Sequence, residues 1–75
     1  MFGNYDEISN SELSAIIDEW IKGRNAERNR SILKRRMIDG ICYEPLAEEF
    51  GLSVKQVQNI VYKNEYTIYR HIWHI

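Results

Sequence analysis

The 75-residue chain has one cysteine, one proline and no apolar run approaching the roughly 20 residues that span a bilayer. A single thiol cannot form an internal disulfide, which suits a reducing cytoplasm. Cys42 lies in the apolar stretch Ile41–Tyr43, so we predict a buried structural thiol. One cysteine with His71 and His74 cannot build a zinc cluster. The acidic, polar start, MFGNYDEIS, does not resemble a signal peptide. We therefore expect a cytoplasmic protein with no metal, cofactor or membrane partner.

Enzyme residue sets are missing as well: there is no paired-carboxylate site, no nucleophile–base set and no phosphate-cradling loop. We expect no catalytic activity. The length fits one domain, residues 1–75, with a small core. Charge is uneven within it, because residues 1–23 carry five acids and one base, whereas residues 24–75 carry nine bases and six acids. The second segment has the mild basicity of a nucleic-acid binder, and we expect the acidic first segment to face away from phosphates.

Helix signals recur along the chain and strand-period runs are absent, which predicts an all-α fold of four or five helices. The first helix begins at Ser9, which forms a capping box with Glu12, and Ile8 is placed for a hydrophobic staple with Leu13. Gly23 is its predicted stop. Its apolar face comprises Leu13, Ile16, Ile17, Trp20 and Ile21. The tryptophan is predicted to be a core residue.

A second helix is predicted from a cap at Asn25 to about Asp39. One face holds Ala26, Leu33 and Met37, with Ile32 and Ile38 at its edges. The other faces hold the cations Arg24, Arg28, Arg30, Lys34, Arg35 and Arg36. Arg28 and Arg35 are candidates for contact with phosphates, and Arg36 is a candidate for internal pairing. The alternative is a solvated face whose cations pair with Glu44, Glu48 or Glu49.

Residues 43–62 carry the pattern of a helix-turn-helix. Its first helix runs from Tyr43 or Glu44 to Phe50, with Pro45 in the first turn. Small Ala47 suits a close crossing of two helices. Gly51 suits a turn that needs positive φ, and Ser53 can cap the following helix. The packing positions are Leu46, Phe50, Leu52, Val57 and Ile60. Such a motif usually places its second helix in the major groove of DNA.

The last helix has no breaker after Ser53, so it is predicted to be long. On a helical wheel, one side gathers Val57, Ile60, Val61, Asn64, Ile68, Ile72 and Ile75. Nearly the opposite side gathers Lys55, Gln56, Asn59, Lys63 and Arg70, with Gln58 more lateral. Amides can pair with adenine through two hydrogen bonds, and lysine can reach guanine or a phosphate. The sequence therefore predicts a DNA-reading face at residues 55–63, with Arg70 as a further candidate for contact with DNA; the alternative is an ordinary solvated face.

Aromatic residues cluster near the C-terminus, largely off the apolar side of the last helix. They are Tyr62, Tyr66, Tyr69 and Trp73. Exposed aromatic residues at this density often mark an interface. Either they form one, for example in a homodimer, or the first helix folds over the end of the last helix and buries some of them. We expect the first helix to pack there, within one chain or across a dimer.

From Arg28 onward the chain resembles region 4 of the bacterial sigma factors, which binds the −35 promoter element. Residues 28–37, RNRSILKRRM, resemble the family's arginine-bearing helix. Residues 46–53, LAEEFGLS, resemble its first motif helix and turn, and residues 57–60, VQNI, resemble its recognition segment. The resemblance implies a sigma region 4-like core at residues 24–75 behind an acidic N-terminal helix at residues 1–23. As a whole, the chain resembles the small free-standing sigma-like proteins of Gram-positive mobile elements.

The resemblance implies DNA contacts at Lys55, Gln56, Gln58, Asn59 and Lys63. Two departures matter: Val54 stands where arginine often follows the cap, and lysine and glutamine occupy reading positions that are commonly Arg or Glu. The −35 consensus therefore does not follow. The expected function is transcription regulation through double-stranded DNA. The rival is a protein-interaction module that docks on RNA polymerase or a sigma factor and binds DNA weakly or not at all.

Overall fold

A computed structural model describes residues 9–73 of the chain, without the side chain of Trp73. Within that range the fold is all-α, with four helices and no strand. The helices are α1 (Asn10–Trp20), α2 (Ala26–Met37), α3 (Tyr43–Phe50) and α4 (Val54–Trp73). The predicted staple at Ile8 and the stripe position at Ile75 lie outside the described residues.

α4 is the central element, because it packs against each of the other three helices. α2 packs against α1 and α3 as well, whereas no Cα atoms of α1 and α3 approach within 8 Å. The shared core consists of Leu13, Ile17, Ile21, Ile32, Leu33, Leu46, Ala47, Val57, Val61, Ile68 and Ile72. Among the described residues no polar or charged residue is buried. None of the helices there combines the length and apolarity needed to cross a membrane.

α1 begins as predicted. The Ser9 hydroxyl accepts a hydrogen bond from the Glu12 amide at 3.1 Å, and the Ser9 amide donates to the Glu12 carboxylate at 3.1 Å. The helix ends at Trp20, three residues before the predicted stop at Gly23. Ile21 is extended, with φ −92° and ψ 106°, and is buried.

The prediction that Trp20 lies in the core is wrong, because its side chain is 40% exposed. The buried side chains Leu13, Ile17 and Ile21 follow one another at intervals of four residues, and Trp20 lies to one side of that line. The Trp20 ring instead lies beside the ring of His71 on α4, with centroids 4.1 Å apart. α1 therefore packs against the C-terminal half of α4 within one chain, as expected.

Two further expectations about α2 need correction. Ile32 and Leu33 are both fully buried, because α2 packs against three helices and needs a wider apolar face than an edge position for Ile32 allows. Asn25 stands at the start of the helix but makes no side-chain capping bond, since its backbone is left-handed at φ 62°. The Ala26 amide bonds instead to the Gly23 carbonyl at 3.2 Å.

Cys42 is exposed, which contradicts the predicted buried thiol. It stands just before α3 in extended backbone, with φ −70° and ψ 162°. In extended chain successive side chains point to opposite sides. Ile41 and Tyr43, on either side, are partly buried against the core and leave the cysteine facing outward.

Candidate nucleic-acid interface

The start of α4 is fixed by its turn and by its cap. Gly51 has φ 66°, a conformation that glycine adopts without strain. The Leu52 amide donates to the Ala47 carbonyl at 2.9 Å, which closes the end of α3. The Ser53 hydroxyl accepts from the Gln56 amide at 3.1 Å, so the predicted cap at Ser53 is confirmed. Three residues therefore join α3 to α4 in a defined geometry.

Gln56 has a structural role that its sequence pattern signalled and our prediction overlooked. Its side-chain oxygen accepts a hydrogen bond from the Ser53 amide at 2.8 Å, which completes a second capping box of the S-x-x-Q type. An amide side chain needs both its oxygen and its NH₂ group to pair with adenine. Base reading by Gln56 would therefore break the box, and Asn59 becomes the stronger candidate for that contact.

A polar stripe runs along the outward face of α4. Lys55, Asn59 and Lys63 are spaced four residues apart and are all exposed, as predicted. Gln58 is half-buried and lies to the side of the stripe, also as predicted. The three stripe residues make no ion pair or side-chain hydrogen bond with any residue in the range 9–73. Their amide and ammonium groups are therefore available to an external partner.

The stripe continues into a groove of about 460 Å³ between α4, the start of α2 and the α1–α2 turn. The lining residues are Lys22, Arg24, Asn25, Arg28, Asn29, Asn59, Ile60, Lys63 and Asn64. Three of them, Arg28, Asn59 and Lys63, were predicted as DNA contacts. The other polar ones were not, because they come from segments whose proximity no local sequence pattern reveals. The groove contains four cations and no acid.

Arg35 lies apart from this groove. Its Nε is 2.7 Å from Oε1 of Glu49 on α3, and its Nη1 is 4.0 Å from Oδ2 of Asp39. The Nε–H is not aligned for a hydrogen bond with that carboxylate, so the contact is an ion pair held by charge. Arg35 thus follows the alternative expectation, in which a cation of α2 pairs with an acid of α3. Its predicted contact with phosphate stays a prediction and would compete with Glu49.

Arg36 pairs internally, as expected. Its Nη1 donates to the Ile41 carbonyl at 3.1 Å, and its guanidinium lies 4.5 Å from the ring centre of Tyr43. The Tyr43 ring meets the ring of Tyr62 edge-on at 6.3 Å. Partial burial, together with a hydrogen bond to Tyr62, raises the pKa of Tyr43, and the nearby Arg36 opposes the shift. This cluster ties α2, α3 and α4 together.

The C-terminal half of α4 presents a different surface. Arg70 is exposed, and its guanidinium lies 5.7 Å from the ring centre of Tyr66. It lines a cavity of about 360 Å³ with Trp20, Thr67 and His71, so its predicted DNA contact would be separate from the groove. Tyr62 and Tyr66 are 58% and 65% exposed. The side chain of Trp73, predicted to join them, lies outside the described residues.

Among residues 9–73 no group of three or more His, Cys, Asp or Glu side chains is placed to hold a metal ion. Comparison with known proteins adds no assignment: no family model, no curated protein and no solved structure matches this chain.

Proposed function

We propose that this protein binds double-stranded DNA and regulates transcription, with the N-terminal half of α4 in the major groove. The single observation that carries the proposal is the exposed stripe of Lys55, Asn59 and Lys63, which leads directly into a groove lined by cations. α3, the three-residue turn and α4 support the assignment of a helix-turn-helix of the sigma region 4 type. Base edges are read by amides and cations on such a helix.

Within this proposal the residues have separate roles. Asn59 reads a base, because its side chain is exposed and takes part in no capping bond. Lys55 and Lys63 contact guanine or phosphate, and Arg28 contacts phosphate. Gln56 fixes the start of the helix. The acids of α1 do not line the groove, and Asp18 is paired with Lys34 at 2.7 Å.

The test is selection of bound sequences from a random duplex pool, with light scattering on the same sample. We expect an enriched motif. A palindromic motif indicates a dimer, and an asymmetric one indicates a monomer or a partner of RNA polymerase. Asn59→Ala should cost about 1–3 kcal/mol of specific affinity and relax preference at one position. Asn10→Ala, at an exposed position at the start of α1, is the matched control. A pool that stays unenriched at low salt would refute the proposal.

The second candidate function is a protein-interaction module for RNA polymerase or a sigma factor. The exposed aromatic rings of Tyr62 and Tyr66 favour it, since interfaces are enriched in aromatic residues. The two candidates differ in which surface matters. Tyr66→Ser should leave DNA selection unchanged under the first and should abolish binding to purified polymerase under the second.

A further inference from the structure

We infer that the groove between the α1–α2 turn and α4 is a clamp for the phosphate backbone, and that Lys22 and Arg24 of that turn are its outer contacts. The inference rests on the proposed function and adds a second DNA-contacting element to it. Lys22 and Arg24 precede residues 28–37, the first segment that carries the resemblance to sigma region 4, and no motif singles them out. Their role comes only from where the fold places them.

The first argument is the segregation of charge. The chain as a whole holds eleven acids and ten bases, yet the groove is lined by Lys22, Arg24, Arg28 and Lys63 with no acid among its nine residues. Glu27 stands on the first turn of α2 but does not line the groove. A concave surface of one sign focuses potential and concentrates ions of the opposite sign.

The second argument is that Lys22 and Arg24 have no internal partner among the described residues, whereas the cations of α2 are engaged. Arg28 donates its Nε and Nη2 to Oδ1 of Asn29, at 3.2 Å each. Lys34 pairs with Asp18 and Arg35 with Glu49, while Arg30 donates to a backbone carbonyl. Within residues 9–73, Lys22 and Arg24 have neither an ion pair nor a side-chain hydrogen bond. Charge left unpaired in a groove is available for an anionic ligand.

The third argument is distance. Eight residues separate Lys55 from Lys63, which is about 12 Å along a helix. The major groove is about 8.5 Å deep, with base edges at its floor and phosphates at its edges. If the start of α4 reaches base edges, the Lys63 end lies near the edge of the groove. The cationic groove begins at Asn59 and Lys63, so it stands where the sugar-phosphate backbone passes.

The α1–α2 turn is also held in place before any ligand binds. The Arg30 Nε donates to the Ile21 carbonyl at 2.8 Å, and the Ala26 amide donates to the Gly23 carbonyl at 3.2 Å. Gly23 has φ 93°, a conformation suited to glycine. A contact surface built on a fixed turn loses less conformational entropy on binding than a mobile loop would.

The test compares two double variants of the full chain on the selected duplex. Lys22→Gln/Arg24→Gln removes both charges, and Lys22→Arg/Arg24→Lys keeps both while exchanging the side chains. The slope of log affinity against log salt should fall by about two units in the first variant, at about 0.9 per lost phosphate contact, and should be unchanged in the second. Both residues are exposed, so both variants should melt as the parent does.

An unchanged slope in the neutral variant, with the parent still bound to DNA, overturns the clamp and leaves the proposed function standing. If the parent protein binds no duplex at low salt, both the clamp and the proposed function are refuted. Inorganic pyrophosphate serves as a small-molecule probe of the groove. If the protein binds pyrophosphate there saturably but does not bind duplex DNA, the site belongs to a free phosphate ligand and the clamp is overturned. A shifted preferred sequence in the neutral variant would also contradict it, because phosphate contacts carry no direct sequence information.

Discussion

The two halves of α4 share one buried stripe but differ in what covers it. Beside residues 54–63 lie the turn after α3, the start of α2 and an open cationic groove. Beside residues 64–73 lies the end of α1, with Trp20 against His71. The helix is longer than recognition of a major groove requires, and the partner of its second half is α1. Packing against α1 therefore explains the length of α4, and the polar face of its first half is free for binding.

The largest effect is expected from removal of α1, which tests whether the second half of α4 depends on that helix. Leu13, Ile17 and Ile21 are all buried, and each contributes about 1.5–3 kcal/mol on burial. Their sum is comparable with the whole stability of a small domain, about 5–15 kcal/mol. We expect deletion of residues 1–22 to unfold or aggregate the protein, as measured by circular dichroism and size-exclusion chromatography.

Deletion of residues 71–75 removes Ile72 but leaves Ile68 in place, so it should give a milder form of the same defect. This truncation serves as the graded control. A 24–75 fragment that is monomeric, folded and equally tight on DNA would show that the second half of α4 does not depend on α1.

The next largest effect is expected at the turn that begins the first half. Gly51 has φ 66°, and a Cβ there would meet no atom within 4 Å. The cost of substitution is therefore backbone strain rather than a clash. Gly51→Val should destabilise the fold by roughly 1–2 kcal/mol, because a β-branched residue is strained in the left-handed region. Thermal melting measures it.

Gly51→Asn is the matched control, since asparagine tolerates the left-handed region better than other residues. It should melt closer to the parent than Gly51→Val does. Equal melting temperatures for the two variants would contradict a turn that depends on positive φ. Ala47→Leu tests the same junction by size, and overpacking at this buried site should cost about 1–3 kcal/mol.

Local signals in the sequence predicted the helices well and their partners less well. The capping box at Ser9, the turn at Gly51 and the cap at Ser53 depend on residues within four positions of one another, so spacing alone reveals them. Trp20 was misplaced because the helical period marks a wide apolar face, whereas the buried line runs through Leu13, Ile17 and Ile21. Cys42 was misplaced because an apolar neighbourhood in sequence says nothing about alternation in extended backbone.

The cationic groove could not be predicted from local sequence signals. Its walls come from residues 22–29 and residues 59–64, which become neighbours only when α2 packs on α4. Each cation on its own reads as part of a solvated helix face or turn. Only the tertiary structure separates Lys63, which faces the groove, from Arg35, which faces Glu49. Charge composition therefore could not predict where the cationic groove lies.

A smaller effect is expected at the contact between α1 and the second half of α4. The ring of Trp20 packs on His71 but is 40% exposed. Trp20→Ala should therefore remove the ring–ring contact, worth about 0.5–1.5 kcal/mol beyond the area that the ring buries, and leave DNA affinity unchanged. Trp20→Phe keeps an aromatic ring and should recover part of the loss. A loss of DNA affinity at unchanged melting temperature would link this end of α4 to the reading face.

The smallest expected effect separates capping from reading in the first half of α4. Gln56→Ala removes the side-chain oxygen that accepts a hydrogen bond from the Ser53 amide, which should cost about 0.5–1.5 kcal/mol of stability. It should not alter the preferred base at any position. Gln56→Glu can complete the same box and places a negative charge in the first turn of a helix, where it is favourable. We expect it to hold the melting temperature while weakening DNA binding by charge repulsion.

Ser53→Ala is the partner control for this last prediction. It breaks the other bond of the box, so the combined change of Ser53 and Gln56 should cost less than the two single changes added together. Melting curves and duplex selection on the four variants measure stability and base preference separately. If Gln56→Ala relaxes preference at one base and leaves the melting temperature unchanged, Gln56 reads DNA after all. The box would then open on binding, and the division between Gln56 as cap and Asn59 as reader would be wrong.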